Sequence, residues 1–238
     1  MPLKQPFTSK RSVVDLGHLS YDEALKSQLQ WHAKRVEDRV QDTLILVEHD
    51  PVMTVGRSGG WEFLKASEEV LKEKGIGLRE ADRGGKITYH GPGQLVGYPI
   101  VKLAESQWSV TQFVGLLQSM IMAVLTEFDI PTESREDQIG VWTLKNRKIA
   151  SIGIRVAKGV TRHGFALNIT NDLSPFSLME PCGLRDCQMS SVREEGINTD
   201  VWTVKKKIID YWHTRFGSER NYSEMNYALP SKDQSVIN

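Results

Sequence analysis

Residues 83 to 99 read RGGKITYHGPGQLVGYP, a run with five glycines and two prolines that ends in an apolar, strand-like stretch. Glycine loses the most conformational freedom on folding, so a run this rich in glycine is typical of a loop whose backbone lies close to a ligand. A plain hairpin turn needs only one or two such residues and does not explain the polar side chains of Arg83, Thr88 and His90. The run therefore predicts a binding loop.

The composition predicts a globular protein of the cytoplasm. The 238 residues include 30 basic and 30 acidic ones, so no net charge indicates binding to nucleic acid or to an anionic membrane. No apolar stretch has the length of a signal peptide or a membrane span, and two cysteines do not make a disulfide framework. We therefore expect a cytoplasmic chain with reduced thiols and neither nucleic-acid nor membrane partners.

Four helices are predicted from capping residues and apolar spacing. They follow Ser20 and Ser109, where Glu23 and Gln112 complete capping boxes, and span residues 67–74 and 200–216. In the first helix, Leu25, Leu29 and Val36 recur at near-helical spacing. The second is long and amphipathic, and its Met and Phe residues indicate core packing.

Strands are predicted wherever apolar and β-branched residues cluster between turns. They span residues 43–48, 95–101, 139–144, 149–156 and 160–169, with a hairpin turn at 157–159. Short hairpins mixed with isolated helices argue against a regular βαβ repeat, so the fold class is α+β with a mixed sheet. We expect one domain over residues 1–217, followed by a polar extension over 218–238.

The run at 83–99 resembles the signature of the octanoyl-acyl-carrier-protein:protein octanoyltransferases, the LipB family of the lipoate and biotin protein ligase superfamily. The resemblance continues through four further blocks in the family's order: HDPVMTVG at 49–56, KIASIGIRV at 148–156, HGFALN at 163–168 and PCGL at 181–184. It covers most of the chain, from about Asp42 to Val192. The resemblance implies a ligase-like single domain in which helices flank a large mixed sheet and a smaller second sheet.

Cys182 is the nucleophile that the resemblance implies. Proline precedes it and glycine follows it, which leaves one side of the thiol open. From the residues alone, a small buried hydrophobic residue is the favoured interpretation of Cys182. Cys187, five residues later, is weak evidence for zinc, and the family requires no cysteine there, so we treat it as incidental.

Lys148 is the catalytic base that the resemblance implies. Strand alternation predicts that its side chain lies on the same apolar side as Ala150 and Ile152. Burial disfavours a charged ammonium group, which is how a lysine becomes a usable base. From the residues alone, a strand-end lysine that reaches out to water is the alternative.

The same resemblance implies a set of substrate-binding residues. The glycines among them would let the backbone line a narrow tunnel for an acyl chain. They are Arg83, Gly84, Gly85, Lys86, Ile87, Thr88, Tyr89, His90, Ser151, Ile152, Gly153, Gly164, Phe165 and Ala166. A Cys-His hydrolase dyad is conceivable with His90 or His163, but in the resembled family these positions shape the acyl pocket. No metal and no cofactor are implied.

The activity that the resemblance implies is octanoyl transfer through an acyl-Cys182 thioester. The donor is octanoyl-acyl carrier protein, and the acceptor is a lysine on the lipoyl domains of 2-oxoacid dehydrogenase complexes and on the glycine cleavage H protein. Basic residues at 147, 148, 155, 158 and 162 are close in sequence and suggest a patch for an acidic carrier protein.

Three other functions are weighed against this one. An ATP-dependent lipoate or biotin ligase needs no nucleophilic cysteine, and the Gly-Arg-Gly-Arg-x-Gly loop of biotin ligases is absent from the chain. A cysteine-using amidotransferase that moves octanoyl between lipoyl-bearing proteins would keep Cys182 and change only the donor. A non-catalytic carrier-protein binding module would need neither Cys182 nor Lys148.

Overall fold

The computed structural model describes residues 11–106, 108–181 and 187–216. Strands β1 to β10 follow in chain order as Ser12–Leu19, Thr43–His49, Val52–Val55, Gly77–Glu80, Ile87–His90, Gln94–Ile100, Thr132–Glu133, Val141–Thr143, Lys148–Ala157 and Val160–Asn168. Helices α1 to α5 span Tyr21–Val36, Glu68–Glu73, Leu103–Ser106, Val110–Thr126 and Val201–Thr214. Short 3₁₀ helices occupy Trp61–Phe63 and Ser174–Leu178.

The strands form two sheets, as the resemblance implies. The seven-stranded sheet has the order β1-β2-β6-β10-β9-β8-β7, and the three-stranded sheet has the order β4-β3-β5. Both are mixed: β1 runs parallel to β2 and β3 parallel to β4, whereas the other pairs are antiparallel. The predicted α+β fold with a large mixed sheet and a smaller second sheet is confirmed.

The four predicted helices are present with the predicted caps. Ser20 and Ser109 form complete capping boxes with Glu23 and Gln112, and the side chain of Asp200 caps α5. The last helix, predicted over 200–216, ends at Thr214, and the extension predicted over 218–238 lies outside the described residues.

The predicted strands are present with small shifts in their ends. The segment predicted over 139–144 is shorter, since β8 spans only Val141–Thr143. Lys158 and Gly159 both have positive φ, as a two-residue hairpin turn between β9 and β10 requires. Strands β1, β3, β4 and β7 were not predicted. The run at 83–99 is also not one loop, because Ile87–His90 forms β5.

The two faces of the large sheet are covered by different helices. On one face, α4 and α5 pack on apolar residues of β2, β6, β9 and β10, and Phe113, Leu117 and Trp212 are fully buried there. On the other face, α1 packs on β2, β6 and β10 through Ala24, Val96 and other residues of a smaller cluster. The small sheet has its own apolar cluster.

The apolar spacing of α1 predicted only the edge of its buried face, where Leu25 and Val36 are partly buried against apolar clusters. Leu29 is 42% exposed, whereas Gln28, His32 and Arg35 are buried with Tyr21 and Ala24. The helix therefore presents polar side chains to the sheet, and these find partners on neighbouring elements. Burial of polar groups at this surface is the first structural sign of a site.

Candidate functional site

A cleft opens on the α1 face of the large sheet, where the glycine-rich run crosses β9 and β10. The empty space around its lining residues is about 500 Å³, which includes the solvent at its open mouth. All of the predicted substrate-binding residues line it except Gly84 and Tyr89. The structure therefore brings together three sequence segments that lie far apart in the chain.

The two predicted residues outside the cleft lining lie directly behind it. Gly84 donates its backbone N–H to the Ile154 carbonyl at 2.9 Å, which fastens the run to β9. Tyr89 points away from the cleft, and its ring packs edge-on against Phe176 with centroids 5.6 Å apart. Both residues support the cleft from outside it.

Tyr21, Val96 and Tyr98 also line the cleft and were not predicted as site residues. Tyr21 is the first residue of α1, immediately after the cap at Ser20. Val96 and Tyr98 alternate along β6, so strand periodicity places both on one face of the sheet. Applying that alternation to the strand after the glycine-rich run would have found them.

Glycines make the close approach of backbone in the cleft possible. A Cβ atom at Gly153 would lie 2.7 Å from the Gly84 carbonyl oxygen, and one at Gly164 would lie 2.1 Å from the Gly97 carbonyl oxygen. Neighbouring backbone atoms occupy both positions, so any side chain there would force strands or the loop apart. The narrow shape of the cleft therefore depends on both glycines.

The start of the glycine-rich run is held between the two sheets. The guanidinium of Arg83 donates through Nη2 to the Thr54 carbonyl at 2.7 Å and to Thr54 Oγ1 at 2.8 Å. The Gly56 N–H donates to the Lys86 carbonyl at 2.9 Å. These bonds tie the run to the end of β3, opposite the bond from Gly84 to β9, so the loop is fixed on both sides.

His90 is a buried neutral histidine. Gln94 uses its Nε2 to donate to Tyr89 and Asn168, so its Oε1 accepts from His90 Nδ1 at 2.8 Å. Burial lowers the pKa of His90 to about 3, and the nearby His49 acts in the same direction. At neutral pH, His90 therefore holds its proton on Nδ1 and presents an unprotonated Nε2 toward Thr54, 3.4 Å away.

His49 forms a second fixed histidine next to the cleft. The Leu19 carbonyl can only accept, so His49 Nδ1 donates to it at 3.1 Å and Nε2 accepts from the Tyr98 hydroxyl at 2.7 Å. Burial lowers the pKa of His49 to about 4, although the bond to Leu19 opposes that shift. The Tyr98 hydroxyl that lines the cleft is thus held in one orientation.

His163 lines the cleft in a conformation that non-glycine residues rarely adopt, with φ of 55°. Its backbone N–H donates to Gln28 Oε1 at 2.7 Å, and its ring Nε2 donates to the Asp82 carboxylate at 2.6 Å. Burial lowers the pKa of His163 to about 4 despite the contact with Asp82. Contacts from Gln28 of α1 and from Asp82, the residue just before the glycine-rich run, therefore hold His163 in place.

The basic residues predicted to form a patch for a carrier protein do not form one exposed patch, since Lys158 alone among them is exposed. Arg155 and Arg162 both contact the Asp82 carboxylate, Arg147 contacts Glu195 at 2.5 Å, and Lys148 is buried. Burial opposes ionisation of Asp82, but its bond from His163 and the neighbouring arginines hold its pKa below the ordinary value. These arginines therefore neutralise acidic groups of the same chain.

Lys148 is 1% exposed and lies at the start of β9. Its backbone N–H donates to the Gln188 carbonyl, and its carbonyl accepts from the Ser190 N–H, both at 2.8 Å. The segment that follows residues 182–186 is thus joined to β9 at Lys148. Cys182 itself lies outside the described residues.

The expected direction of the Lys148 side chain is wrong because β9 contains a bulge. Val141 lies opposite Ala150, but the next pair is Trp142 with Lys148, so Ile149 is an extra residue. Val141, Ile149 and Ala150 all lie in the core beneath α4. Paired residues share a face, so Lys148 lies with Trp142 on the opposite face, the face that carries the cleft.

The residues that flank Cys182 in sequence lie at a second depression. Pro181 and Cys187 line it together with Arg147, Gln188 and Met189. Cys187 is half-buried.

Within the described ranges, no group of three or more His, Cys, Asp or Glu side chains is arranged to hold a metal ion. In the same part of the chain, no helix is both long and apolar enough to cross a membrane.

Comparison with known proteins identifies the family. The model of the lipoyl protein ligase A/B catalytic domain matches residues 20–213. An octanoyltransferase of Desulfotalea psychrophila is 42% identical over 208 residues, which cover 86% of this chain and 93% of that protein. The chain belongs to the octanoyltransferase family. A member from Dictyoglomus thermophilum is 44% identical over 201 residues, covering 84% of both proteins.

Solved structures with low sequence identity show the same fold. Lipoate-protein ligase A bound with ATP superposes with a TM-score of 0.65 at 14% identity, covering 93% of this chain and 86% of that one. A bi-partite lipoate protein ligase from Thermoplasma acidophilum gives 0.63 at 14% identity, with coverages of 97% and 88%. This chain thus shares its fold with these two lipoate protein ligases.

Proposed function

We propose that this protein transfers an octanoyl group from acyl carrier protein to a lysine of lipoyl domains, in the cytoplasm, through an acyl-Cys182 thioester. The observation that carries the proposal is the cleft on the α1 face, lined by the glycine-rich run and by β9 and β10. The relatives that match most of the chain are named octanoyltransferases, which supports octanoyl as the group transferred.

The lining of the cleft supports the binding of an acyl chain. Ile87, Val96, Ile152 and Phe165 supply apolar surface, and the glycines keep the passage narrow. His90 and Tyr98 are already hydrogen-bonded to protein partners. An apolar chain that covers these two side chains therefore does not deprive them of hydrogen-bond partners.

In the first step, the Cys182 thiolate attacks the carbonyl carbon of the donor thioester, and the bond from that carbon to the pantetheine sulfur breaks. Lys148 takes the proton of the Cys182 thiol before attack and returns it to the departing sulfur. The product is an octanoyl thioester on Cys182 with free carrier-protein thiol.

In the second step, the neutral amine of the target lysine attacks the same carbon, and the bond to Cys182 breaks. The proton lost by the nitrogen passes through Lys148 to the Cys182 sulfur, so the enzyme returns to its starting state with an amide formed. A positioned acid/base contributes typically ~10²–10⁴-fold. Conversion of a thioester to an amide is downhill, so the reaction as proposed uses no nucleotide and no metal.

The acceptors are the lipoyl domains of 2-oxoacid dehydrogenase complexes and the glycine cleavage H protein. Each must bring a lysine to the mouth of the cleft after the carrier protein has left, which predicts ping-pong kinetics. The family match to a lipoyl protein ligase A/B catalytic domain supports a lipoyl-domain acceptor.

Intact-protein mass spectrometry tests the covalent intermediate. The protein is mixed with octanoyl-acyl carrier protein without ATP, and we expect one octanoyl adduct that disappears when lipoyl domain is added. Cys182→Ser should not form this thioester adduct, whereas Cys187→Ser should form it normally, since the chain has only two cysteines. An adduct retained in Cys182→Ser and lost in Cys187→Ser would contradict the assigned nucleophile.

The assigned base is tested with two lysines of the same hairpin. Lys148→Ala should lose roughly 10²–10⁴-fold in transfer rate. Lys145→Ala is the matched control, because Lys145 is 67% exposed and its ion pair is with Glu195.

Acylation of lipoyl domain from free octanoate and ATP, with no adduct from the carrier protein, would instead establish an ATP-dependent ligase. Binding of carrier protein with no reaction under either condition would favour a binding module.

A further inference from the structure

Gly140 lies where the Lys148 side chain passes beneath β8. A Cβ atom at Gly140 would lie 2.4 Å from Lys148 Cε, 3.1 Å from its Nζ and 2.6 Å from the Ala150 carbonyl oxygen. The φ of Gly140 is +147°, and its carbonyl accepts from Gln118 Nε2 of α4 at 3.0 Å. The space taken by the lysine stem is therefore space that a side chain at residue 140 would fill.

Trp142 provides the surface against which the ammonium lies. Its ring centroid is 5.4 Å from Lys148 Nζ, within the roughly 6 Å over which a cation is attracted to an aromatic face. The ring is 3% exposed, and its Nε1 donates to the Gln138 carbonyl at 3.0 Å. The guanidinium of Arg135 also contacts it, with Cζ 4.3 Å from the centroid.

The bulge at Ile149 makes these contacts possible. It places Lys148 opposite Trp142 on the cleft side of the sheet, and Ser151 faces the same side because it pairs with Ala166. With two residues in the bulge, Lys148 and Ser151 are separated by about 7 Å along the strand, two pleat steps. Without the bulge, Lys148 would share the face of Ala150 and point into the core beneath α4.

We propose that Gly140 and Trp142 are positioning residues that hold Lys148 on the cleft side of the sheet, with the bulge at Ile149 setting its direction. This rests on the proposed function, in which Lys148 transfers the protons. Gly140 leaves room for the stem, and Trp142 limits where the ammonium can lie. Gly140, Trp142 and Lys148 are all outside the residues that line the cleft, and the first two affect it through their contacts with Lys148.

Nuclear magnetic resonance tests the placement without using activity. Protein labelled with ¹³C at lysine Cε is compared with Lys148→Arg to assign the Lys148 signal. The ring current of Trp142 should shift the Lys148 Hε resonances away from those of exposed lysines. Trp142→Leu should abolish that shift, and Trp142→Phe should keep part of it. Trp202→Leu is the control, because Trp202 is 57% exposed.

A pair of glycine variants tests the contact with the lysine stem. Gly140→Ala and Gly159→Ala both place alanine at a positive φ, but a Cβ at Gly159 meets nothing within 4 Å. We expect Gly140→Ala to lower kcat for octanoyl transfer by about 10²-fold with KM for the carrier protein little changed. Gly159→Ala should stay within roughly threefold of wild type in both constants.

A double-mutant cycle connects the effect to Lys148. In a Lys148→Ala background the stem is gone and only the close contact with the Ala150 carbonyl remains, so Gly140→Ala should cost much less activity than it does in wild type. The proposal is overturned if Gly140→Ala costs as much in that background as in wild type, or if Trp142→Leu leaves the Lys148 signal unmoved. A wild-type protein that forms no acyl adduct would contradict the proposed function instead, and the resonance experiment would still decide whether Trp142 holds the lysine.

Discussion

On the face of the large sheet covered by α4 and α5, the buried contacts are mostly between hydrocarbon side chains. On the face covered by α1, the buried groups include His49, His90, His163, Tyr98 and Gln28, and each of them makes at least one hydrogen bond to a specific partner. The first arrangement gains stability from area removed from water and tolerates small changes of direction. The second depends on donors and acceptors that match individually, so single changes leave polar groups unsatisfied.

The difference explains how one sheet can carry both stability and a site. Packing on the hydrocarbon face holds β6, β9 and β10 in position. Their other face can therefore lie close to the backbone of the glycine-rich run and bury histidines in their neutral form. A substitution on the hydrocarbon face should therefore change stability without changing the chemistry. A substitution on the cleft face should change both, and the following measurements test that division.

The largest effect on stability is expected on the hydrocarbon face, for Phe113→Ala. Phe113 is fully buried, and its ring lies 6.2 Å from that of Trp108 and 6.0 Å from that of Phe216. Loss of a buried phenyl ring costs about 3–5 kcal/mol of unfolding free energy. Urea unfolding measures this, with Val110→Ala, 48% exposed on the same helix, as the control. Equal losses in both variants would contradict the assignment of the core.

The next effect concerns pH and belongs to the cleft face. Burial lowers the pKa of His49 and His163 to about 4 and that of His90 to about 3. The unfolded chain takes up protons at these residues from about pH 6.5 downward, whereas the folded chain does not. Stability should therefore fall as the pH falls from about 6.5 to about 4, with a slope of about 1.4 kcal/mol per pH unit for each histidine.

Unfolding in urea at several pH values measures that slope. His49→Phe should reduce it by the contribution of one histidine. Phe113→Ala should lower the unfolding free energy at every pH and leave the slope unchanged, because it removes no titrating group. A slope that is the same in wild type and His49→Phe would contradict a neutral buried His49.

A third effect is expected where α1 meets the cleft. Gln28 is fully buried, and its Oε1 accepts from the His163 N–H at 2.7 Å. Removing the acceptor leaves that buried N–H unsatisfied, which costs about 1–3 kcal/mol. Gln28→Met keeps the volume and removes the acceptor, so it should destabilise the protein and also slow transfer, since His163 lines the cleft. A Gln28→Met protein as stable as wild type would show that packing, not the hydrogen bond, matters here.

Sequence patterns predicted those parts of the fold that repeat over many residues. The capping boxes at Ser20 and Ser109 and the apolar period of α4 each involve several residues in agreement, and these elements are present as expected. Strands β3 and β4 have only four residues each, which is too short for alternation to be distinctive. Their pairing depends on contacts far apart in sequence, which local patterns do not contain.

The candidate site was predicted through resemblance more than through physical pattern. Most of the predicted substrate-binding residues meet in one cleft, but the direction of Lys148 depends on the single extra residue Ile149 in β9. A bulge shifts every side chain before it to the other face and has no distinctive sequence signal in KIASIGIRV. The positive φ at His163 is equally invisible, because tertiary hydrogen bonds impose it.

The smallest effect is expected at Leu29, where an apolar residue follows helical spacing without being buried. Leu29 is 42% exposed, next to the fully buried Gln28 on α1. Leu29→Gln removes little apolar area from the core, so the unfolding free energy should change by less than about 0.5 kcal/mol, and transfer should be unaffected. Urea unfolding of Leu29→Gln beside Gln28→Met compares neighbouring positions of one helix. If Leu29→Gln lowered the unfolding free energy as much as Gln28→Met does, the apolar positions of α1 would contribute to its stability. The polar face toward the cleft would then stabilise the helix no more than the face toward solvent does.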